Sequence, residues 1–339
     1  MFSSPPPRAV AAAYQIMPTQ RLLIVSDIHY ASDAEKARRG FRLAGIANPA
    51  ARLLLRAFHH FVWQRDPFAH NHWLEEFFAR GGEPDVVIAN GDYSCDSAFV
   101  GVSDPAARAS AAECLGKLRA RYGTRLRAVI GDHELGKRSL GGGLGGMRRA
   151  SWNHALEDLH LEPAWRMELG AYVLIGVTSS LLALDVFAGD LLAGERAEWE
   201  ELRAQHWRAV REIFSRLESR QRVLLFCHDP SALPFLGRDA SVRARLGQIE
   251  QTIIGHLHTP LVLWKSQLLA GMPRIDFCGH TMRRFSDALN QARHWREFRV
   301  RLCPALSGIQ LLKDGGFYSV LVDDTGGAPA QFTRHRTGG

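Results

Sequence analysis

Carboxylate and imidazole side chains follow five short apolar runs of this chain, each at the point where its run ends. They are Asp27, His29, Asp92, Asp132, His133, His228, His256 and His258. Carboxylate oxygen and imidazole nitrogen suit Mn, Fe, Zn, Co or Ni, and such a donor set needs no thiolate. Two metal ions about 3.5–4 Å apart can stabilise both the attacking and the leaving oxygen of a displacement at phosphorus. Gathered in one place, these side chains would form a binuclear site, so metal-dependent hydrolysis is the first hypothesis.

The five apolar runs predict the strands that bring these side chains together. The runs span residues 22–25, 86–89, 128–130, 223–227 and 253–254. Uninterrupted apolar runs of this length are typical of buried strands, and open α/β sheets place their sites where the strands end. Residues two apart on a strand point the same way, which suits Asp27 with His29 and His256 with His258. We therefore expect one edge of the sheets to gather all eight side chains.

The order of these motifs resembles that of the calcineurin-like metallophosphoesterases. The matching segments are Asp27-Ile28-His29, Gly91-Asp92, Gly131-Asp132-His133-Glu134, His228 and Gly255-His256-Leu257-His258. Each motif alone is weak evidence, but all five in order, each after a predicted strand, are strong evidence. The matched segments run from residue 22 to 258, about two thirds of the chain. The resemblance implies an α/β fold, a four-layer αββα sandwich of two mixed β-sheets flanked by helices.

The resemblance also implies two divalent metal ions, for which manganese is the first expectation. One metal would be held by Asp27, His29 and His258. The other would be held by Asp132, His228 and His256, and Asp92 would bridge the two ions. His133 matches the family's outer histidine, which sits over the leaving oxygen as an acid or a charge stabiliser, so Asp92 and His133 are the catalytic candidates. Glu134 is expected to orient its loop rather than touch substrate.

Two positions depart from the family pattern. The family usually has Asn where this chain has Asp132. An Asp still offers an oxygen to the metal, but it adds a negative charge and lacks the amide donor that could hold substrate phosphate. Many relatives carry an Asp three residues after the bridging Asp, paired with the outer histidine. That place is Cys95 here and Asp96 comes one step later, which leaves the partner of His133 open.

The formal charge of +7 favours attraction to phosphates or anionic lipid. Four cationic residues flank the glycine-rich stretch 141–146 directly after the His133 motif, and they are the candidate substrate contacts: Lys137, Arg138, Arg148 and Arg149. A loop rich in glycine is pliable, and it could close over a phosphate and bring guanidinium groups to it. A solvated surface loop is the alternative interpretation.

The resemblance implies one metallophosphoesterase domain over residues 20–322, and the 339 residues, 46% of them hydrophobic, are enough for one large domain or two small ones. Residues 1–19 form a Pro-containing segment without a signal-peptide pattern, and residues 323–339 read as a polar tail. No apolar run is long enough for a membrane span. The five cysteines are odd in number and dispersed, which predicts reduced thiols and a cytoplasmic protein, with contact at the inner membrane surface as an added possibility.

Several further elements follow from periodicity. Glu195–Arg220 predicts an amphipathic helix, and Tyr172–Val177 predicts a strand. Three later segments, Val262–Trp264, Arg274–Cys278 and Phe317–Val322, also read as strands, and we expect them in the second sheet. The long gap between the first two motifs predicts a helical insertion over about residues 31–82, in which His59-His60 and His70-Asn71-His72 are interpreted as surface or core residues rather than ligands.

The insertion bears on the substrate because it is rich in aromatic residues. They are Phe58, Phe61, Trp63, Phe68, Trp73, Phe77 and Phe78. They could form an acyl-chain groove or lie on a membrane surface, or they could simply pack a helical hairpin on the core. Some superfamily members, including a chlamydial type of similar length, cleave the pyrophosphate of UDP-2,3-diacylglucosamine in lipid A synthesis, and that reaction is one alternative here.

The sequence therefore predicts a hydrolase of a phosphoester or pyrophosphate, with a phosphorylated substrate, which could be a lipid nucleotide, and no obligate protein partner. A nuclease or a cyclic-nucleotide phosphodiesterase is another option, and of these the nuclease is less favoured because no nucleic-acid module is recognisable. A protein phosphatase is disfavoured because the Arg that often follows the Gly-Asp motif in those enzymes is absent after Asp92. An inactive interaction scaffold is the alternative from another class, but it predicts lost ligands, and every ligand position here holds a competent residue.

Overall fold

Two five-stranded β-sheets form the framework of the part of the chain that the computed structural model describes, residues 19–38, 48–95, 99–137, 145–273, 275 and 280–338. The strands are β1 Thr19–Val25, β2 Val86–Ala89, β3 Leu126–Ala128, β4 Ala164–Leu169, β5 Tyr172–Val177, β6 Arg222–Cys227, β7 Ile249–Ile254, β8 Val300–Leu302, β9 Gly316–Asp323 and β10 Gln331–Arg336. The strand order is β10-β9-β1-β2-β3 in the first sheet and β4-β5-β6-β7-β8 in the second.

Both sheets are mixed, as the resemblance implied. In the first, β1, β2 and β3 are parallel, while β9 and β10 pair antiparallel to their neighbours. In the second, β5 to β8 are parallel and β4 is antiparallel. The parallel strands β1, β2, β6 and β7 each precede one of the predicted metal-ligand motifs. The last residues of β1 and β2, Val25 and Ala89, pair with each other, so these two strands end side by side. Parallel pairing therefore carries the motifs to the same end of their sheets.

Alternation along the strands divides the core into layers. Leu22 and Ile24 of β1 belong to an apolar cluster with Leu224 and Phe226 of β6, so these side chains fill the space between the sheets. The intervening residues, such as Leu23, pack with helices on the outer faces. This is the four-layer αββα sandwich, and the continuous apolar runs arise because both faces of each strand are buried.

Thirteen α-helices cover the sheets in the described part of the chain. They are α1 Asp33–Lys36, α2 Pro49–Phe61, α3 His72–Gly81, α4 Pro105–Tyr122, α5 Asp132–Leu135, α6 Arg149–Glu157, α7 Ser179–Leu182, α8 Leu184–Phe187, α9 Arg196–Ser215, α10 Leu233–Leu236, α11 Ala240–Arg243, α12 Pro260–Leu268 and α13 His280–Gln291. Short 3-10 helices include Pro67–Ala69, Pro230–Ala232 and Ala292–Phe298. The predicted helix Glu195–Arg220 is confirmed as the shorter α9, which buries Trp199, Val210 and Phe214.

The chain beyond residue 322 is not a separate polar tail. Residues 331–336 form β10, which pairs with β9 at the edge of the first sheet. The prediction was wrong because an edge strand has a solvated face, so Arg334 and its polar neighbours look like loop residues. The predicted strand Val262–Trp264 is also wrong, since these residues lie in α12, which begins with Pro260 after the N-cap Thr259. The predicted strand Phe317–Val322 is present within β9, but β9 pairs with β1 in the first sheet and not in the second sheet, which its position late in the chain had suggested. Most of Arg274–Cys278 lies outside the described residues.

The insertion is helical, as predicted, where the structure describes it. It contains α1, α2, the 3-10 turn Pro67–Ala69 and α3. His59 and His60 lie in α2, and the Asn71 amide makes two hydrogen bonds to the Ala31 backbone. No helix of the described chain is both long and apolar enough to cross a bilayer.

A buried histidine of α9 couples stability to pH. His206 is 3% exposed, and burial lowers its pKa to about 4. The unfolded chain takes up a proton near pH 6.5, whereas the folded chain does so only near pH 4, so stability falls as the pH drops through this window. Between pH 7 and pH 4, we expect the free energy of unfolding of the wild type to fall by about 3 kcal/mol more than that of His206→Leu.

Urea denaturation across this pH range measures the difference. His72→Gln is the matched control, because His72 is exposed at the start of α3. An identical pH dependence in His206→Leu and wild type would contradict the prediction.

Candidate metal centre

The backbone turns sharply at five of the predicted ligands. Left-handed φ angles of 50° to 60° occur at Asp27, His29, Asp92, His256 and His258. This conformation costs an L-residue roughly 1–2 kcal/mol, and Asp and His tolerate it better than most residues. Strained backbone of this kind persists only where its surroundings fix it and is typical of functional sites.

Hydrogen bonds between the motif loops fix these turns. The Asp27 amide donates to Gly91 O at 3.1 Å, and the His29 amide donates to Asp92 O at 3.1 Å. The carboxylate of Asp27 accepts from the backbone N–H of His256 at 3.0 Å. Gly255 lets the two loops approach, because a Cβ there would lie 2.2 Å from Ser26 Oγ and 2.5 Å from an Asp27 oxygen. The Gly of the Gly-His-x-His motif is thus required by packing.

Asp27, His29 and His258 lie together as the resemblance implied for one metal. One ligand atom from each lies within 4.8 Å of the others. His258 Nε2 is 3.4 Å from Asp27 Oδ1, and the His29 and His258 rings stack with centroids 5.1 Å apart. All three side chains are buried or nearly so. The cluster can hold one divalent ion with one carboxylate and two imidazoles.

Asp132, His228 and His256 form a second cluster by the same distance criterion. Asp132 Oδ1 lies 3.2 Å from His228 Nε2 and 3.1 Å from His256 Nδ1. Asp92 lies between the clusters, since its Oδ2 is 3.1 Å from His228 Nε2 and it also groups with Asp27 and with His29. The arrangement can hold two ions that share one carboxylate.

Hydrogen bonds fix the ring orientation of two histidines. His29 Nδ1 lies 3.2 Å from Ser94 O, and His228 Nδ1 lies 2.6 Å from Asn90 O. A carbonyl oxygen only accepts, so each neutral ring carries its proton on Nδ1 and turns the Nε2 lone pair into the site. His29 Nε2 and His228 Nε2 are both buried without a hydrogen-bond partner. Two buried lone pairs aimed into one space fit a metal site.

The buried carboxylates of the site also favour the binding of cations. Burial raises the pKa of Asp27 despite its imidazole neighbours. Burial opposes a proton on His228, yet the carboxylates of Asp92 and Asp27 raise its pKa well above the usual value. Burial and the Asp132 charge act against ionised Asp92, but His228 and His133 bring its pKa down. The carboxylates therefore favour positive charge in the site, which divalent ions held by these ligands would supply.

Glu134 orients the motif loops, as predicted. Its buried carboxylate accepts from the backbone N–H groups of Asp92 at 3.0 Å, Tyr93 at 2.8 Å and Gly131 at 2.9 Å. These bonds join the loop after β2 to the loop after β3. Burial and the Asp92 charge raise the pKa of Glu134 to about 8, against the effect of the three donors. Positive charge in the site therefore favours the carboxylate form.

His133 lies beside the first cluster. Its ring meets His29 edge-on with centroids 4.7 Å apart, and its Nε2 is 3.8 Å from Asp92 Oδ2. Burial lowers the pKa of His133 well below its usual value, so the ring is neutral at pH 7. Cys95 does not serve as its partner in the described contacts, because the Cys95 thiol points to Pro67 O. Asp96 lies outside the described residues.

Two residues near the clusters escaped sequence reasoning. The Trp63 ring lies 5.0 Å from the His258 ring, so the insertion contributes to the site. Trp63 was noted only as one of many aromatic residues, and no local pattern marks its contact with His258. Asp229 Oδ2 lies 3.8 Å from His256 Nε2. Its position directly after His228 was the available signal.

The four cationic candidates separate in the structure. Lys137 Nζ lies 2.7 Å from Asp132 Oδ2, at the second cluster. Arg138 lies outside the described residues. The Arg148 guanidinium donates to the carbonyls of Met147 and Gly145, and that of Arg149 pairs with Glu198. These contacts place neither Arg148 nor Arg149 at the ligands, and their contact with substrate stays a prediction.

Comparison with protein families settles the broad class. The model of the calcineurin-like phosphoesterases matches residues 20–260, more than half of the chain. The chain belongs to this family. A comparison with curated proteins gives no match.

Solved structures give weak likenesses. A phosphopantetheinyl hydrolase from Mycobacterium tuberculosis is 15% identical, with 70% of this chain and 83% of that one covered and a TM-score of 0.33. A metallophosphoesterase from Sphaerobacter thermophilus is 13% identical, with coverages of 94% and 89% and a TM-score of 0.32. A predicted phosphoesterase from Streptococcus pneumoniae is 10% identical, with coverages of 94% and 99% and a TM-score of 0.29. None carries an argument about substrate.

Replacing Glu134 tests its role in holding the loops. In Glu134→Gln one acceptor oxygen becomes an NH₂ group that faces a backbone N–H, so buried donors lose their partner. We expect the free energy of unfolding to fall by about 2 kcal/mol, together with weaker Mn²⁺ binding. Urea denaturation and Mn²⁺ titration measure both, with the exposed Glu157→Gln as control. Unchanged stability and metal binding would show that Glu134 does not hold the site.

Proposed function

We propose that this family member is a binuclear metal-dependent hydrolase that cleaves a phosphoester or pyrophosphate bond. The observation that carries the proposal is the pair of buried ligand clusters that meet at Asp92. The oxygen and nitrogen donors suit Mn²⁺ first, and Fe, Zn, Co or Ni also fit. When bound, two such ions supply Lewis acidity at phosphorus and lower the pKa of water.

The protein's own groups hold and orient the reactants. Asp27, His29 and His258 would hold one ion, Asp132, His228 and His256 would hold the other, and Asp92 would contribute to both. A water oxygen forms a bond to phosphorus and gives up a proton, while the bond from phosphorus to the leaving oxygen breaks and the leaving oxygen takes up a proton. Glu134 and the hydrogen bonds between the loops hold the ligand side chains in position before the reaction begins.

His133 stabilises the leaving oxygen in this proposal. Because its low pKa keeps the ring neutral at pH 7, a ring N–H serves as a hydrogen-bond donor rather than as an imidazolium acid. A preorganised donor at developing charge is an effective source of rate enhancement. Of the two roles that the resemblance implied, charge stabilisation is thus the better supported.

An inactive scaffold is disfavoured by the condition of the site. Six of the seven predicted ligands form the two clusters and the seventh, Asp92, lies between them, and five of the seven hold strained backbone. Strain and buried charge both cost stability. A protein that had lost metal chemistry would have no physical reason to keep both.

The buried thiols of Cys114, Cys227 and Cys303 form no disulfide, and on this basis we propose a cytoplasmic location.

A lipid-linked phosphoester is the second candidate substrate, favoured by exposed apolar residues beside the site. On α2, Leu54 is 71% exposed and Phe61 is 68% exposed, and on α12 Trp264 is 57% exposed. Phe58 of α2 stacks on Trp63 at 6.1 Å, and Trp63 in turn contacts His258. The apolar face of α2 is therefore continuous with the first cluster.

The charges on these helices agree with a lipid surface. Neither α2 nor α12 contains an acidic residue, while α2 carries Arg52 and Arg56 and α12 carries Lys265. An apolar face with basic flanks is the pattern of an interfacial helix, which binds anionic lipid peripherally. UDP-2,3-diacylglucosamine combines such a lipid with a pyrophosphate, and we propose it as the first lipid nucleotide to test.

Asp92→Asn tests the binuclear assignment. We expect Mn²⁺-dependent cleavage of bis-p-nitrophenyl phosphate to fall by about 10³-fold, because the shared carboxylate loses its charge. Circular dichroism should show a folded protein. The surface variant Asp158→Asn, at the end of α6, is the control for removal of a carboxylate. Wild-type turnover in Asp92→Asn would overturn the assignment of the site.

Release of UMP from UDP-2,3-diacylglucosamine tests the lipid candidate. We expect Mn²⁺-dependent release by the wild type and a drop of about 10-fold in the double variant Leu54→Gln/Phe61→Gln, because less apolar surface contacts the acyl chains. Cleavage of the nitrophenyl ester should not change. Leu321→Gln, an exposed leucine of β9, is the control. Cleavage of the nitrophenyl ester without any UMP release would discard this substrate.

A further inference from the structure

Position 132 differs from the family pattern in a way that the structure links to a second residue. Asp132 is 1% exposed, and its Oδ2 lies 2.7 Å from Lys137 Nζ. Its other oxygen faces His228 and His256. The carboxylate therefore stands between the second ligand cluster and a lysine ammonium group.

The backbone holds Lys137 in this place. The helix α5 ends at Leu135, and Gly136 follows with a φ of 93°. A Cβ at Gly136 would lie 2.6 Å from Gly146 O and 2.7 Å from Val100 C, so only glycine fits the turn. The turn reverses the chain after one short helix and returns Lys137 to Asp132. The lysine side chain is 24% exposed, so its charge lies mostly within the protein.

Lys137 lies directly behind the second ligand cluster. Its Nζ contacts Asp132 Oδ2 at 2.7 Å, and the other oxygen of Asp132 lies 3.2 Å from His228 Nε2 and 3.1 Å from His256 Nδ1. Lys137 is therefore a cation at the place where two metal ions and a phosphoryl group would meet.

Asp132 and Lys137 together reproduce what a single Asn would provide. A carboxylate next to an ammonium has no net charge, as an amide has none, and the carboxylate still offers an oxygen to the metal. The missing N–H donor is supplied by the ammonium, which carries three. Resting on the proposed hydrolase function, we propose that Lys137 binds a nonbridging oxygen of the substrate phosphoryl group and that Asp132 positions it there.

A double-mutant cycle with inorganic phosphate as the probe tests this inference. In Mn²⁺-loaded Lys137→Met we expect phosphate to bind about 10-fold or more weakly, since a hydrogen bond to a charged group is lost. Mn²⁺ should bind at least as tightly as in the wild type, because a cation next to the site is removed. In Asp132→Asn/Lys137→Met the Asn amide restores the donor and the neutral charge, so most of the phosphate affinity should return.

Calorimetric titrations of Mn²⁺ and then of phosphate give both affinities, and cleavage of bis-p-nitrophenyl phosphate is measured beside them. Lys117→Met is the matched control, because Lys117 pairs with Glu75 on the surface. Unchanged phosphate affinity in Lys137→Met, or a double variant no better than the single one, would overturn the inference. So would loss of Mn²⁺ binding in Lys137→Met, which would mark a structural lysine. A wild type that neither binds Mn²⁺ nor cleaves the ester would instead overturn the hydrolase proposal itself.

Discussion

The structure depends on three carboxylates that the fold buries within a few ångströms of one another. Asp27, Asp92 and Asp132 are at most 1% exposed, and like charges in a low-dielectric interior repel strongly. Such a group is stable only with compensating positive charge and hydrogen bonds. The imidazoles, the backbone N–H groups and the Lys137 ammonium provide part of this compensation. Two divalent ions would provide the rest, so metal binding and the stability of the site are linked.

This demand explains features that otherwise look unfavourable. Left-handed backbone at five of the predicted ligands turns their side chains inward from strands that belong to different sheets. Loop-to-loop hydrogen bonds, the Gly255 contact and the Glu134 carboxylate stabilise those turns. The free-energy cost of each of these features is small compared with the cost of burying the carboxylates without compensation. Together they preorganise the ligands, which is how a site avoids reorganisation during the reaction.

Specificity must come from what surrounds this common centre. The insertion sends Trp63 to His258 and leaves an apolar face of α2 exposed. The segment after α5 returns Lys137 to Asp132. The insertion and the segment after α5 both reach the ligand clusters, although no metal ligand was predicted in either of them. In the proposed hydrolase, these two segments would bear on which phosphoryl compound is accepted.

The sequence by itself determined which residues meet, because short apolar runs predict buried strands and parallel strands end at one edge. The order of the five motifs was enough to predict the family, the two mixed sheets and the juxtaposition of the ligands from Asp27 to His258. Edge strand β10 and helix α12 were missed, since a half-solvated strand resembles a loop and a short apolar run does not distinguish strand from helix. Only the tertiary structure decided the left-handed turns, the contact of Trp63 with His258 and the pairing of Lys137 with Asp132. These depend on which loops pack together, and no local pattern of residues encodes that.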